Sequence, residues 1–175
     1  MRDSSQPGIY IGLGSNLGDR AGNLLLALRG MCDAGMRVAR LSSVYETEPV
    51  GVTPEQPLFL NMVAELALDD GAEHAPPSPE QLLARLLRIE YQLGRRRDVP
   101  LAPRTIDLDL LLYGDALSGT EYLTLPHPRL HLRRFVLVPL CELAPRALHP
   151  ILGRSFAALL SELSDASAVA RWAPA

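Results

Sequence analysis

The sequence predicts an α+β domain of ferredoxin-like type, an antiparallel sheet core with flanking helices in a three-layer α/β/α stack. Apolar residues follow strand and helix periods in the order strand–helix–strand–strand–helix–strand, with a helical tail after them. No internal repeat is visible beyond that two-fold alternation. The length, 175 residues at 47% hydrophobic, suits one core, so residues 1–175 read as a single domain.

Residues 9–13 form a short apolar run that enters the turn-rich segment Gly14-Ser15-Asn16-Leu17-Gly18-Asp19. Leu24, Leu25, Leu28 and Met31 repeat with helical spacing over residues 20–31, and Gly35 closes that helix. Residues 37–45 alternate and read as one strand; residues 59–68 read as the next. Between them, residues 48–57 carry three prolines and a glycine and form a loop. A linker at residues 69–77 precedes Ser78-Pro79-Glu80-Gln81, where an N-cap serine, a proline at the first position and Gln81 at the third specify a helix start. That helix runs to about residue 93 and stops at Gly94. A polar loop, residues 95–103, leads into a strand containing Asp107 and Asp109. After the loop Leu125-Pro126-His127-Pro128 come a helix at 133–143 with Pro139 inside it, and a short last helix at 155–163.

The net charge of −3 argues against a general nucleic-acid binder. No apolar run is long enough to cross a bilayer, and the N-terminus lacks a signal-type apolar stretch. Cys32 and Cys141 lie far apart in apolar helical contexts, which predicts buried free thiols in a reducing cytoplasm. All 17 cationic side chains are arginine and none is lysine, so a P-loop lysine is excluded.

The strongest chemical signal is Ala102-Pro103-Arg104-Thr105-Ile106-Asp107-Leu108-Asp109-Leu110-Leu111-Leu112-Tyr113-Gly114. Side chains two apart on a strand share a face, roughly 6.5 Å apart. Asp107 and Asp109 therefore point one way, and Ile106, Leu108 and Leu110 point the other way into a core. Two carboxylates that close repel, and Mg²⁺ between them removes the conflict while leaving positions for phosphate oxygens. Their apolar flanks predict a central strand. Arg104, with Arg95, Arg96 and Arg97 on the preceding loop, offers phosphate-matching forks. The glycine-rich segment 12–18 lacks dinucleotide-fingerprint spacing and reads as a structural turn. Prolines fix the backbone around His127, a candidate nucleotide contact with Arg133 close by in sequence. His74, His131 and His149 show no metal-ligand spacing. Phe59 and Asn61 on one strand face, with Phe135, could take a flat heterocycle or be simple core.

Five segments in order resemble the 6-hydroxymethyl-7,8-dihydropterin pyrophosphokinase family: Tyr10-Ile11-Gly12-Leu13-Gly14-Ser15-Asn16-Leu17-Gly18, Ser42-Ser43-Val44-Tyr45-Glu46-Thr47-Glu48-Pro49-Val50-Gly51, Phe59-Leu60-Asn61, Pro103-Arg104-Thr105-Ile106-Asp107-Leu108-Asp109 and Leu125-Pro126-His127-Pro128-Arg129-Leu130-His131. The resemblance implies transfer of pyrophosphate from ATP to a pterin hydroxymethyl group, releasing AMP, in folate biosynthesis. It implies two Mg²⁺ ions on Asp107 and Asp109, with Arg95 and Arg104 assisting transfer. It also implies ATP contacts from Glu90, Arg97, Leu110, Tyr122, Thr124, His127 and Arg133. Phe59 and Phe135 would sandwich the pterin, while Asn61 and the backbone near Thr47 and Val50 read its edge. It leaves open whether Asp107 or a metal-bound water takes the hydroxyl proton.

The chain departs from some relatives at Leu101-Ala102, in place of Trp-Gly, and at Tyr122, in place of Arg. Leu132 and Arg134 replace Glu and Ala. The expected partners are the two small substrates, with no nucleic acid and no membrane, for a cytoplasmic monomer or weak dimer. Two competing readings are a non-catalytic nucleotide- or pterin-binding regulator and a single-stranded RNA binder using an open sheet face.

Overall fold

The computed structural model describes residues 8–51, 56–67, 77–96 and 102–174. Strands β5 (Asp107–Tyr113), β1 (Ile9–Ser15), β4 (Phe59–Leu66), β3 (Tyr45–Thr47) and β8 (Val169–Arg171) form an antiparallel sheet in the order β5-β1-β4-β3-β8. The strand β2 (Val38–Leu41) also pairs with β4. Helices α1 (Arg20–Asp33) and α2 (Pro79–Gln92) cover one face of this sheet; α3 (Arg134–Leu143) and α4 (Phe156–Ser161) cover the other. This is the expected ferredoxin-like α/β/α stack. With both faces buried, the RNA reading loses its open platform.

The helix signals act as expected. Ser78 and Gln81 form a reciprocal capping box at the start of α2, and Gly94 closes it at φ +80°. The α1 helix begins at Asp19, whose carboxylate accepts from Gly22 N–H at 2.9 Å. Its surface carries Cys32, which is exposed, because the buried stripe of α1 consists of Leu24, Ala27 and Met31. Cys141 is only partly buried, so the expectation of two buried thiols is corrected.

Two strand expectations also change. The single strand expected over 37–45 is two, β2 and β3. Ser42 breaks it, since its hydroxyl accepts from Val63 N–H at 2.9 Å and donates to Ser43 C=O at 2.8 Å. A side chain that competes with the ladder in this way turns the backbone without disturbing the apolar alternation.

Strand β5 lies at the sheet edge, not at its centre, and among the described residues pairs only with β1. It tolerates an apolar sequence because its outer edge is covered. Leu108 N–H donates to the buried Glu90 carboxylate of α2 at 2.8 Å, and Leu111 C=O accepts from His127 N–H at 2.9 Å. A register shift between Tyr10 and Ile11 leaves Leu111 unpaired, so Leu111 and Leu112 both enter the α3/α4 core. The short strands β6 (Ser118–Gly119) and β7 (Thr124–Leu125) form a hairpin next to β5.

Glu90→Ala strips the edge strand of its acceptor and leaves a buried N–H unpaired. The variant is expected to lose about 2–4 kcal/mol in urea unfolding, against less than ~1 kcal/mol for an exposed control such as Tyr91→Ala.

Candidate active site

A cavity of about 230 Å³ opens over one face of β1, β4 and β5. Ligand pockets for drug-sized molecules run to roughly 300–1,000 Å³, so this one has room for a small ring system rather than a whole nucleotide. Its floor is set by strand register. Asp109 faces Gly12 and Asp107 faces Gly14 across the β1–β5 pair, while Gly14 faces Asn61 on the β4 side. Missing side chains on β1 make the space. A Cβ on Gly14 would stand 2.6 Å from Asn61 Oδ1. The reading of segment 12–18 as a turn is therefore corrected: Gly12 and Gly14 lie in a strand, and only Gly18 (φ +68°) has turn geometry.

Asp107 is held by two arginines. Arg95 donates through Nη1 to Asp107 Oδ1 and to Ile106 C=O (2.9 Å), and Arg104 Nη1 donates to Asp107 Oδ2 at 2.7 Å. Arg95 also lies 3.5 Å from Glu90, so a carboxylate–guanidinium chain runs from α2 into the site. The Nε atoms of both arginines are buried without a hydrogen-bond partner, leaving donor capacity. Arg96 is exposed, and Arg97 lies outside the described residues.

Asp109 has a different environment. Burial, and then the neighbouring charge of Asp107, push its carboxyl up to about 7. Mg²⁺ needs one or two carboxylates and completes its shell with phosphate oxygens and water. Asp107 and Asp109 on one cavity face fit that donor set. Among the described residues no group of three or more His, Cys, Asp or Glu side chains forms a closed cage. An ion here would therefore depend on substrate oxygens.

The aromatic walls are paired with cations. The Arg104 guanidinium lies 5.5 Å from the Phe59 ring centroid, and that of Arg133 lies 5.4 Å from Phe135. Phe59, Phe135, Thr47, Val50 and Asn61 all line the cavity, and Asn61 Nδ2 donates to Thr47 Oγ1 at 2.7 Å. His127 lines it too. Burial, Arg133 and Arg129 push its imidazole down to about 4, so it is neutral near pH 7. Its Nδ1 accepts from Arg129 N–H at 3.3 Å, which assigns the proton to Nε2.

Four of the anticipated nucleotide residues lie outside the cavity. Leu110 packs in the α1/α2 core, Glu90 is buried beneath Leu108, and Tyr122 and Thr124 are exposed around the β6–β7 hairpin. Sequence reading missed Gly12, Gly14, Glu48 and Arg129, which line the cavity. The available signal for the glycines was their two-residue spacing in a strand. Asn16, buried to 1% exposure, also went unnoticed. Its side chain accepts from Arg104 N–H at 2.8 Å and donates to Pro57 C=O at 3.3 Å, linking the entrances to β5 and β4.

Paired carboxylates, guanidinium donors and two aromatic rings line one cavity on an antiparallel sheet, an arrangement suited to phosphoryl transfer. The model of the 7,8-dihydro-6-hydroxymethylpterin-pyrophosphokinase (HPPK) family matches residues 10–145. The 2-amino-4-hydroxy-6-hydroxymethyldihydropteridine pyrophosphokinase of Bacillus subtilis is 44% identical over 135 residues, covering 77% of this chain and 76% of that protein. The Synechocystis protein of the same name is 39% identical over 168 residues, covering 95% of this chain and 81% of its own. Folic acid synthesis protein fol1 of Pneumocystis carinii is 38% identical over 157 residues, 90% of this chain but only 20% of the fungal protein. Among solved structures, Plasmodium falciparum HPPK-DHPS, wild type with pteroate, matches with a TM-score of 0.64 at 13% identity, over 90% of this chain and 44% of that one, a likeness of fold. The chain belongs to the HPPK family, the pyrophosphokinases of folate biosynthesis. No helix of the described residues is long and apolar enough to cross a membrane.

Asp109 gives the site a pH signature. Its folded pKa, about 7, stands above the roughly 3.9 of an unfolded aspartate, so its stabilising contribution is complete below about pH 4 and is lost as pH rises toward 7. Asp109→Asn is expected to flatten that loss and to stabilise the metal-free protein at pH 8 by on the order of 1–3 kcal/mol. Millimolar Mg²⁺ should raise the wild-type melting temperature at pH 8 and leave the variant's unchanged. An unaltered pH slope in the variant would refute the assignment.

Proposed function

We propose that this chain transfers the pyrophosphoryl group of ATP to the hydroxymethyl oxygen of 6-hydroxymethyl-7,8-dihydropterin, releasing AMP, with Mg²⁺ held by Asp107 and Asp109. The observation that carries this reading is one small cavity with two chemistries. It is lined by two aromatic rings and an oriented amide, and also by two carboxylates and four arginines.

The pterin is assigned between Phe59 and Phe135. Asn61, oriented by Thr47, offers an amide at the heterocycle's edge, and Val50 sits on the same rim. Stacking on aromatic faces suits a flat conjugated ring, and the edge contacts select its donor–acceptor pattern.

The triphosphate is assigned to Arg95, Arg104, Arg133 and the neutral His127, which donates from Nε2. The bound Mg²⁺, expected as two ions, supplies neutralisation of phosphate charge and orientation of the ATP chain. Arg95 and Arg104 grip Asp107 before substrate arrives, and each has an Nε donor in reserve for a phosphate oxygen. Both Asp107 oxygens are already hydrogen bonded, which makes that residue a poor acceptor for the hydroxyl proton. In the transfer, the hydroxymethyl oxygen bonds to the β-phosphorus and releases its proton to water, while the bond from the β-phosphorus to the α–β bridging oxygen breaks and that oxygen departs with AMP.

The nucleoside is assigned to the rim along the outer edge of β5. Leu108 turns its N–H outward to Glu90, and by strand alternation Leu110 also turns its N–H and C=O outward. Leu110 would thus act through backbone, with Tyr122 and Thr124 assigned beside it, and Arg97 is assigned to the nucleotide from the family resemblance alone. Glu90 acts indirectly, by fixing Leu108 and Arg95. The regulator reading is not favoured, because paired carboxylates beside arginines serve transfer better than mere recognition.

With ATP, Mg²⁺ and the pterin, the protein is expected to form AMP and pterin diphosphate. Asp107→Asn and Asp109→Asn should each lower kcat by about 10²-fold or more while weakening pterin binding less than tenfold. Formation of ADP alone, or near-wild-type turnover in either variant, would contradict the proposal.

A further inference from the structure

The matched family region ends at residue 145, yet the chain beyond it returns to two elements that flank the cavity, α3 and β3. Residues 165–172 touch both walls. At one end, Asp165 Oδ2 accepts from Arg134 N–H at 2.9 Å, and its Oδ1 accepts from Ser167 N–H at 2.9 Å. Arg134 is the first residue of α3, and Arg133, Phe135 and Val136 beside it line the cavity. The N-cap position of α3 has no side-chain hydrogen bond of its own, so Asp165 serves a first-turn N–H from a distance.

At the other end, β8 pairs with β3, Val169 opposite Thr47, Ala170 opposite Glu46 and Arg171 opposite Tyr45. Trp172 N–H continues the ladder to Val44 C=O at 2.9 Å, and its side chain packs against the α1/α2 core. Ala168 N–H reaches Glu48 Oε2 at 3.3 Å. Thr47 and Glu48 line the cavity as Phe135 does, from a different element, and Thr47 orients Asn61.

A second tie joins the same two walls farther from the cavity. Glu142 near the end of α3 accepts from Ser43 N–H (2.9 Å), Ser43 Oγ (2.8 Å) and Tyr45 Oη (3.0 Å). Its pKa is lowered: burial works against this, and the Ser43 and Tyr45 hydrogen bonds with the charge of Arg171 outweigh it. The far end of the α3–β3 junction is thus closed by Glu142, and the cavity end is closed by the C-terminal segment.

We infer that residues 165–172 form a strap that sets the separation of the Phe135 wall from the Thr47–Asn61 wall, with Asp165 and Ala170 as positioning residues for the heterocyclic acceptor. This rests on the assignment of that cavity to the pterin. The strap touches neither Asp107 nor Asp109, so it acts on capture of the ring and leaves the transfer step alone.

The test is calorimetric titration of 6-hydroxymethyl-7,8-dihydropterin, in the presence of a non-hydrolysable ATP analogue, into wild type, Asp165→Ala, Asp165→Asn and Ala170→Pro, with steady-state kinetics on each. Asp165→Ala removes both acceptors, and Asp165→Asn keeps one. By the alternation fixed at Trp172, Ala170 N–H points at Glu46, so a proline there removes a ladder bond without touching α3.

The expected result is a loss of pterin affinity, and a matching rise in its KM, of about five- to twentyfold for Asp165→Ala and Ala170→Pro, smaller for Asp165→Asn. In all three, kcat at saturation and analogue affinity should stay within about threefold of wild type. Wild-type pterin affinity in both Asp165→Ala and Ala170→Pro overturns the strap alone. Equal losses of pterin affinity, analogue affinity and kcat also overturn it, since that is the mark of general destabilisation. A wild-type protein that does not bind the pterin overturns the cavity assignment and the strap together. Should Asp165→Ala fail to fold, Ala170→Pro decides by the same criteria.

Discussion

Two carboxylates on one face of an edge strand create the charge conflict around which the site is organised. Strand geometry places Asp107 and Asp109 on one face, and the sheet and helices leave them half-buried at the cavity floor. The chain answers the conflict unequally. Asp107 is given two guanidinium partners, and Asp109 is left with a carboxyl that resists ionisation. A divalent cation with phosphate ligands would satisfy both at once and free the arginines for the substrate. The neighbouring glycines, the buried Glu90 and the arginine loop all serve this arrangement. Gly12 and Gly14 keep the space over the aspartates open, and Glu90 caps the strand that carries them.

Much of the remaining architecture fixes distances across the cavity. Asn16 joins the entrance of β5 to that of β4 through hydrogen bonds to Arg104 and Pro57. Glu142 joins α3 to β3, and the C-terminal segment joins them again nearer the cavity. Elements far apart in sequence thus hold the Phe59 and Phe135 walls. A ligand that is flat and rigid rewards such fixed spacing, because little binding energy is then lost to ordering the protein.

The layers of the fold and the shared face of Asp107 and Asp109 on β5 were legible because they rest on local patterns. The capping box at Ser78, the stop at Gly94 and the alternation around Asp107 are local rules that tertiary contacts reinforce. Less legible were features decided across the sheet. The sequence of β5 reads as a central strand, but its edge is sealed by a side chain from α2 and a backbone N–H from the loop at His127. Ser42 splits a strand by a hydroxyl bond that leaves the apolar pattern intact. The glycines of β1 gain meaning only in register with Asp107, Asp109 and Asn61. Of the anticipated site residues, Phe59, Asn61, Asp107, Asp109 and Phe135 converge on the cavity, whereas Glu90, Leu110, Tyr122 and Thr124 lie outside it.

The central claim is that the aspartate pair of β5 collects divalent cations together with nucleotide phosphates. Electron paramagnetic resonance of Mn²⁺ titrated into the protein with a non-hydrolysable ATP analogue tests it most directly. The account predicts uptake of about two ions per protein–nucleotide complex, more than the analogue binds alone, and loss of the excess in Asp109→Asn. Mn²⁺ uptake equal to that of the free analogue, or unchanged in the variant, would contradict it.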